Sequence, residues 1–279
     1  MSPGEIVPRL ALMEANLDRL RPIASRQNAL VKELRSAFHA GGPTDDGHCA
    51  LDGARLVEEA IRSGWKLKAV FFSESARERA MKLLPQFGAH TETLLLPDEV
   101  FRSAVLTESP QGIAALARIR ERTLDEMLVG KPLIVIAAGL QDPGNLGTII
   151  RSSEAFGASG LVTVEGTVNP FNPKVIRASA GSVFRLPTAK LGTQQALSAL
   201  RERGLRILAT SSHKNTPVQE ADLTGPLAII IGNEGAGVSR DLLSQADQRI
   251  GIPHSEKVES LNAGIAASII LYECARQRR

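Results

Sequence analysis

Residues 228–239 read AIIIGNEGAGVS. The run Ala228–Ile231 is short, apolar and rich in β-branched side chains, the pattern of a buried strand. It stops abruptly in a loop that holds Gly232, Gly235 and Gly237. The spacing of Gly232 and Gly237 matches the two glycines of a phosphate-binding P-loop. That motif then needs Lys and Ser/Thr, to neutralise phosphate charge and to hold magnesium. Here Val238 and Ser239 follow, so the cation is missing. A dinucleotide fingerprint also fails, because the third glycine position counted from Gly235 is Arg240. A tight turn after a buried strand is the plain alternative. The loop by itself leaves the choice between ligand loop and turn open.

Working outward, the second half of the chain alternates strand-like and helix-like segments. Strands are expected at 133–138, 160–164, 206–210, 227–231 and 249–252, and helices at 146–157, 193–203, 239–246 and 261–276. The strands are apolar throughout, as in a parallel sheet covered on both faces. Ligands of open α/β sheets bind beyond the carboxyl ends of strands. The loops 139–147, 232–238 and 253–260 lie at such ends. The first half reads as a smaller α/β domain. It has a helix at 51–64 ended by Gly64, strands at 67–73, 91–96 and 112–119, a broken helix after residue 74 and a helix from Asp98. GGPTDDGH at 41–48 is loop chemistry. Residues 4–20 fit an amphipathic helix. The charged stretch RERTLDEMLVGKP reads as a linker. The expected organisation is an extension (1–20), a small domain (21–117), a linker (118–131) and a larger α/β domain (132–279).

Composition sets bounds. The chain has 279 residues, 43% hydrophobic and 23% charged, with net charge +3; this is the profile of a soluble globular protein, mildly basic, for which nucleic acid is a permitted partner. Cys49 and Cys274 are the only cysteines and neither has a CxxC neighbour, which argues against a zinc site or a disulfide framework. No metal is expected. Glu5, Glu14 and Asp18 oppose a secretory or transit leader, and no apolar run has the length of a membrane span. A cytoplasmic protein is expected.

Three segments hold the candidate site residues. GLQDPGNLGTIIRSSEAFGASG (139–160) carries Asn145 and Arg151. Six residues turn an ideal helix by roughly 240°, so the two do not share a face. If they act together, Asn145 must precede the helix; otherwise Asn145 is a helix cap and Arg151 a surface charge. NPKVIRASAGSVFRLP (172–187) is basic, with Lys174, Arg177 and Arg185 among small residues. IGIPHSEKVESLNAGIAASIILYE (250–273) has Ser260 placed as an N-cap. The helix after it holds Ala263, Gly264, Ala266, Ala267 and Ser268, small enough for close packing inside the fold or against a second subunit.

Together these segments resemble the three motifs of SPOUT-class RNA ribose 2′-O-methyltransferases of the SpoU/TrmH type. DPGNLGTIIRSSEAFGA is similar to the first motif through Asn145 and Arg151. IIIGNEGAGVS is similar to the second through Glu234, and IPHSEKVESLNAGIAASIILYE to the third through Ser260 and Asn262. More loosely, IASRQNALVKELR (23–35) and LDGARLVEEAIRSG resemble the opening of the family's ribosomal-protein-like RNA-binding module, with Arg26, Lys32, Arg35 and Arg55 as its cations; Lys174 and Arg177 are further RNA-binding candidates. The resemblance implies a C-terminal trefoil knot, which no pattern rule supplies. It implies S-adenosylmethionine bent in that knot, against backbone around Gly232, Ile252 and Leu261 with Thr210 nearby, and a homodimer.

Methyl transfer to a ribose 2′-oxygen is a displacement at a sulfonium methyl, and the alcohol acceptor is hardly ionised at neutral pH. A base, or a stabiliser of the developing oxyanion, is needed. The resemblance gives this task to Arg151, as a base in the family's proposal. A guanidinium scarcely deprotonates in proteins, so stabilisation suits it better. Asn145 is expected to position ribose or phosphate, Glu234, Ser260 and Asn262 to order the loops, and Asn262 to help place Arg151. Ribosomal RNA is the expected substrate. Transfer RNA, a non-catalytic RNA-binding or ribosome-assembly factor, and a nucleotide-binding enzyme are the alternatives; intact Arg151 and Asn145 oppose the factor, and the missing lysine opposes the last.

Overall fold

The computed structural model describes residues 19–107, 109–212, 215–255 and 257–279. The helix expected at 4–20 lies almost wholly outside them. The described residues divide into two compact units, one formed by those of Glu121–Pro170 with Lys174–Arg279 and one by those before Glu121 with Phe171–Pro173.

The first unit runs β1 (Leu20–Pro22), α1 (Ala29–His39), β2 (His48–Asp52), α2 (Ala54–Arg62), β3 (Leu67–Ser73), α3 (Arg77–Leu83), β4 (Glu92–Leu96), α4 (Asp98–Ala104) and β5 (Ile113–Arg118). The sheet order is β1-β4-β3-β5-β2. β1, β4 and β3 are mutually parallel, and β5 is antiparallel to both β3 and β2. Helix α1 starts where the Asn28 side chain accepts the Leu30 amide at 3.0 Å, an N-cap that satisfies one orphan donor. It buries Val31, Leu34, Ala37 and Phe38, spaced as one helical face, against Phe71, Leu94, Phe101 and Leu116. Gly64 (φ +75°) ends α2 as expected. Strands β1 and β2 were not expected; His48, placed in a loop by the sequence, begins β2.

The second unit runs α5 (Leu124–Met127), β6 (Leu133–Ala137), α6 (Pro143–Ala155), β7 (Gly160–Thr163), α7 (Pro173–Ala178), β8 (Thr188–Lys190), α8 (Thr193–Glu202), β9 (Arg206–Thr210), β10 (Thr216–Pro217), β11 (Leu227–Ile231), α9 (Arg240–Gln245), β12 (Gln248–Gly251) and α10 (Ala263–Gln277). The order β10-β12-β9-β11-β6-β7-β8 is parallel at every pairing. All five residues of β6 and of β11 are buried, the signature of a sheet covered on both faces. The stretch read as a linker is not a free tether. Thr123 and Glu126 form a reciprocal capping box on α5, and Met127 is fully buried beside Ile134, Val162 and Leu200.

Because the strands are parallel, the loops after β6, β9, β11 and β12 all emerge at one edge of the sheet. The order also changes direction at β6: β7 and β8 extend one way, β11 and β9 the other. Such a switch point opens a crevice at the carboxyl ends.

Candidate cofactor cavity and motif network

The glycine loop after β11 is folded tightly on itself. Asn233 N donates to Gly237 O at 3.1 Å and Gly237 N to Asn233 O at 2.9 Å. A side chain at Gly232 would overlap the backbone of Gly237 and Val238, and Gly237 takes φ +68°, a conformation open to glycine at no steric cost. The glycines are therefore required by the turn. The same turn also forms the wall of a cavity of about 320 Å³, within the range of small-ligand sites.

Thr210, Gly232, Ile252 and Leu261, the four residues expected at the cofactor, all line this cavity, as do Glu234 and Ser260. Val238, Leu243, Ile250 and Ile270 supply an apolar floor. Among the described residues no lysine or arginine lines it. Ser211 and Ser212, after β9, belong to the wall and were missed by sequence reasoning; a loop without glycine or motif spacing gave no signal for them.

Behind the glycine loop the three motif segments meet in one hydrogen-bond chain. Asn145 Nδ2 donates to Glu234 Oε1 at 2.7 Å. Asn262 Nδ2 donates to Asn145 Oδ1 at 2.9 Å. Asn262 Oδ1 accepts the amides of Gly264 and Ile265 at 3.0 and 3.2 Å. Asn145 is 7% exposed, and both ends of its amide are satisfied, as burial of a polar group demands.

This geometry corrects several expectations. Asn145 lies inside α6, in its first turn, and not in the preceding loop. The cap of α6 is Asp142, whose side chain accepts the Gly144 amide, with Pro143 as the first helical residue. The cap of α10 is Asn262 and not Ser260. Asn262 holds Asn145 and the start of α10, and among the described residues no hydrogen bond joins its side chain to Arg151. Arg151 is exposed on α6, away from the buried Asn145 as the helical angle requires, and has no ion pair or side-chain hydrogen bond among the described residues. It is not on the cavity wall.

Three of the small residues of α10 pack inside the fold. Ala263, Gly264 and Ala267 are buried, and a Cβ on Gly264 would stand 3.1 Å from the Thr148 side chain of α6. Ser152 and Ser268 are bonded across the two helices at 2.6 Å. The outer face of α10 instead exposes Ile265, Ile269 and Tyr272.

The remaining cations divide. Lys32 and Arg55 in the first unit, and Lys174 and Arg177 in the second, are exposed. Arg26 stands 3.8 Å from Glu99. Arg35 is engaged within the fold, donating to Ser103 O at 3.0 Å and Ser103 Oγ at 3.1 Å, and Arg185 pairs with Glu154. Cys49 and Cys274 are buried and free, and burial pushes both thiols up to about 12, so neither is a ready thiolate. One group with metal-ligand atoms near one another, Glu33, Asp46 and His48, lies in the first unit. There Lys68 Nζ stands 2.7 Å from Glu33 Oε2. Among the described residues no helix is long and apolar enough to cross a membrane.

Comparison with known proteins agrees with this geometry. The SpoU rRNA Methylase family model matches residues 132–272, and the MRM3-like substrate binding domain matches residues 28–115. The chain is 30% identical over 253 residues to the 23S rRNA (guanosine(2553)-2'-O)-methyltransferase RlmP of Bacillus subtilis, covering 91% of this chain and 98% of the relative. It is 32% identical over 246 residues to a 23S rRNA (uridine(2479)-2'-O)-methyltransferase of Streptomyces viridochromogenes, covering 84% and 85%. The solved SpoU methyltransferase AviRb of Streptomyces viridochromogenes, in complex with AdoMet, superposes with a TM-score of 0.80 at 28% identity, over 90% of this chain and 98% of that one. With its three motifs joined in one network and its length matched almost throughout, the chain belongs to the SpoU rRNA methylase family.

Proposed function

We propose that the protein transfers a methyl group from S-adenosylmethionine to a ribose 2′-hydroxyl of ribosomal RNA, in the cytoplasm and as a homodimer. The observation that carries this reading is the cavity at the carboxyl ends of the strands. Among the described residues its wall has the Glu234 carboxylate and no lysine or arginine. That electrostatic balance suits a cationic sulfonium and opposes a polyphosphate.

The cofactor supplies an electrophilic methyl group. The backbone around Gly232, Ile252 and Leu261 would hold its adenosine and methionine parts, with Thr210 at the side, and the apolar floor would keep water away. Glu234 is fixed by Asn145, and Asn145 by Asn262, so the acidic group keeps its position on the wall. Arg151, which has no ion pair among the described residues, is available to grip an RNA phosphate and to stabilise the charge growing on the 2′-oxygen. The roles of Asn145 and Asn262 are thus positioning through Glu234 and helix α10, with Ser260 on the wall beside them.

Exposed Arg26, Lys32 and Arg55 are proposed RNA contacts of the first unit, and Lys174 and Arg177 of the second. The exposed stripe Ile265, Ile269, Tyr272 supports a subunit contact, since contiguous exposed apolar side chains on one helix face are unusual for a monomer. The proposal includes the family's trefoil knot around β11, β12 and α10. Relatives named for 23S rRNA favour ribosomal over transfer RNA. Comparing ribose-methylation maps of ribosomal and transfer RNA from cells with and without the gene tests the substrate. Loss of one ribosomal 2′-O-methyl group is expected; identical maps in both RNA classes contradict it.

A further inference from the structure

Asn233, next to the motif glutamate, carries more of the loop than its neighbour does. Its Oδ1 accepts the amides of Gly235 and Ala236 at 2.9 and 3.1 Å. Its Nδ2 donates to Gly139 O, across 94 residues of sequence, at 2.9 Å. Its main chain closes the turn with Gly237. Gly139 is in turn held from the other side: its amide donates to Thr167 Oγ1 at 3.0 Å, and Thr167 Oγ1 donates to Ala137 O at 2.8 Å. One side chain therefore sets the curvature of the glycine loop and ties it to the loop that leads into α6.

We propose that Asn233 is a positioning residue that preshapes the cofactor wall, setting affinity for S-adenosylmethionine and not the rate of the chemical step. The role rests on the reading that this cavity takes the cofactor. The loop contains three glycines between 232 and 237, residues that lose the most conformational freedom on ordering. Without the Asn233 side chain, the loop would have to be ordered by the ligand, at a cost to affinity. With it, that ordering is done in the fold. The carboxamide is suited to the task because it offers an acceptor for two amides and a donor for a carbonyl at once.

Calorimetric titration of S-adenosylmethionine into the full-length wild type, Asn233→Ala and Asn233→Ser, with single-turnover methylation at saturating cofactor, tests this. Serine keeps a hydroxyl acceptor for the loop amides and loses the tie to Gly139. Asn233→Ala should bind the cofactor about tenfold or more weakly, the scale of losing several neutral hydrogen bonds. Asn233→Ser should fall between, and the saturated rates of all three should agree within about threefold. Affinities within about twofold of wild type in both variants overturn the role, as does a collapse of the saturated rate with affinity intact. A wild type that binds no S-adenosylmethionine would instead bring down the reading of the cavity itself.

Discussion

At the scale of single residues, the fold makes Asn145 a connector. Its amide has one donor on a carboxylate and one acceptor under Asn262, so substitution tests more than volume. Asn145→Ala leaves Glu234 without its partner, at about 1–3 kcal/mol for an orphaned polar group. Asn145→Asp is worse, because it puts a second carboxylate at the first. Thermal melts should rank wild type above Asn145→Ala above Asn145→Asp, and equal melts for all three would remove the network from the account. Arg151 is the opposite case, exposed and without an ion pair among the described residues. Arg151→Ala should leave S-adenosylmethionine binding nearly unchanged in titration and lower single-turnover methylation by about 100-fold or more, the usual loss of one oxyanion donor. Wild-type rates in that variant would make it a solvated surface charge. Much of this was legible beforehand: the resemblance to the family's three motifs singled out Asn145, Arg151, Glu234 and Asn262. Their partners were not legible. The contact between Asn145 and Glu234 spans 89 residues, and local spacing cannot tell a cap from a connector across that distance.

Among the elements, legibility followed local signal. The runs LIVIA and LAIII announced β6 and β11 because five consecutive apolar residues fit a strand buried on both faces. HCALD, TAK and TP did not announce β2, β8 and β10, since those strands are defined by pairing with β5, β7 and β12 more than by any pattern of their own. Helix α10 was legible as a helix, and among its small residues Gly264 and Ser268 meet Thr148 and Ser152 of α6. The apolar outer stripe is the better candidate for contact with a second subunit. Ile269→Asp should convert a dimer to a monomer in light scattering while S-adenosylmethionine binding persists; an unchanged dimer mass would move the interface elsewhere. The packing of α1, β2 and β3 carries a pH dependence. His48 Nδ1 lies 3.0 Å from Glu33, which also holds Lys68. Burial, and then Lys68, holds the imidazole below its ordinary 6.5. The unfolded chain therefore takes up a proton more readily than the folded one, so stability is present above 6.5 and is lost as pH falls below it. His48→Gln should flatten this acid-side loss in calorimetric melts. An identical fall in both proteins would assign the pH dependence to other groups.

On the scale of the whole molecule, chemistry and RNA affinity are expected to separate by unit. The cavity and the motif network use residues of the second unit alone, which begins at Glu121 and needs α5 for its core. A fragment starting at residue 121 should bind S-adenosylmethionine as the full chain does. It should bind RNA more weakly, with a shallower salt slope, because phosphate contacts release counterions. Equal RNA affinity and equal slope in gel-shift titrations would refute the division. The central claim is the reaction itself. Purified protein, isotopically labelled S-adenosylmethionine and ribosomal RNA should yield one labelled nucleoside. The account predicts that nucleoside digestion and mass spectrometry will place the added methyl group on the ribose 2′-oxygen. A methyl group on a base, or no transfer with a folded protein that binds the cofactor, would contradict it.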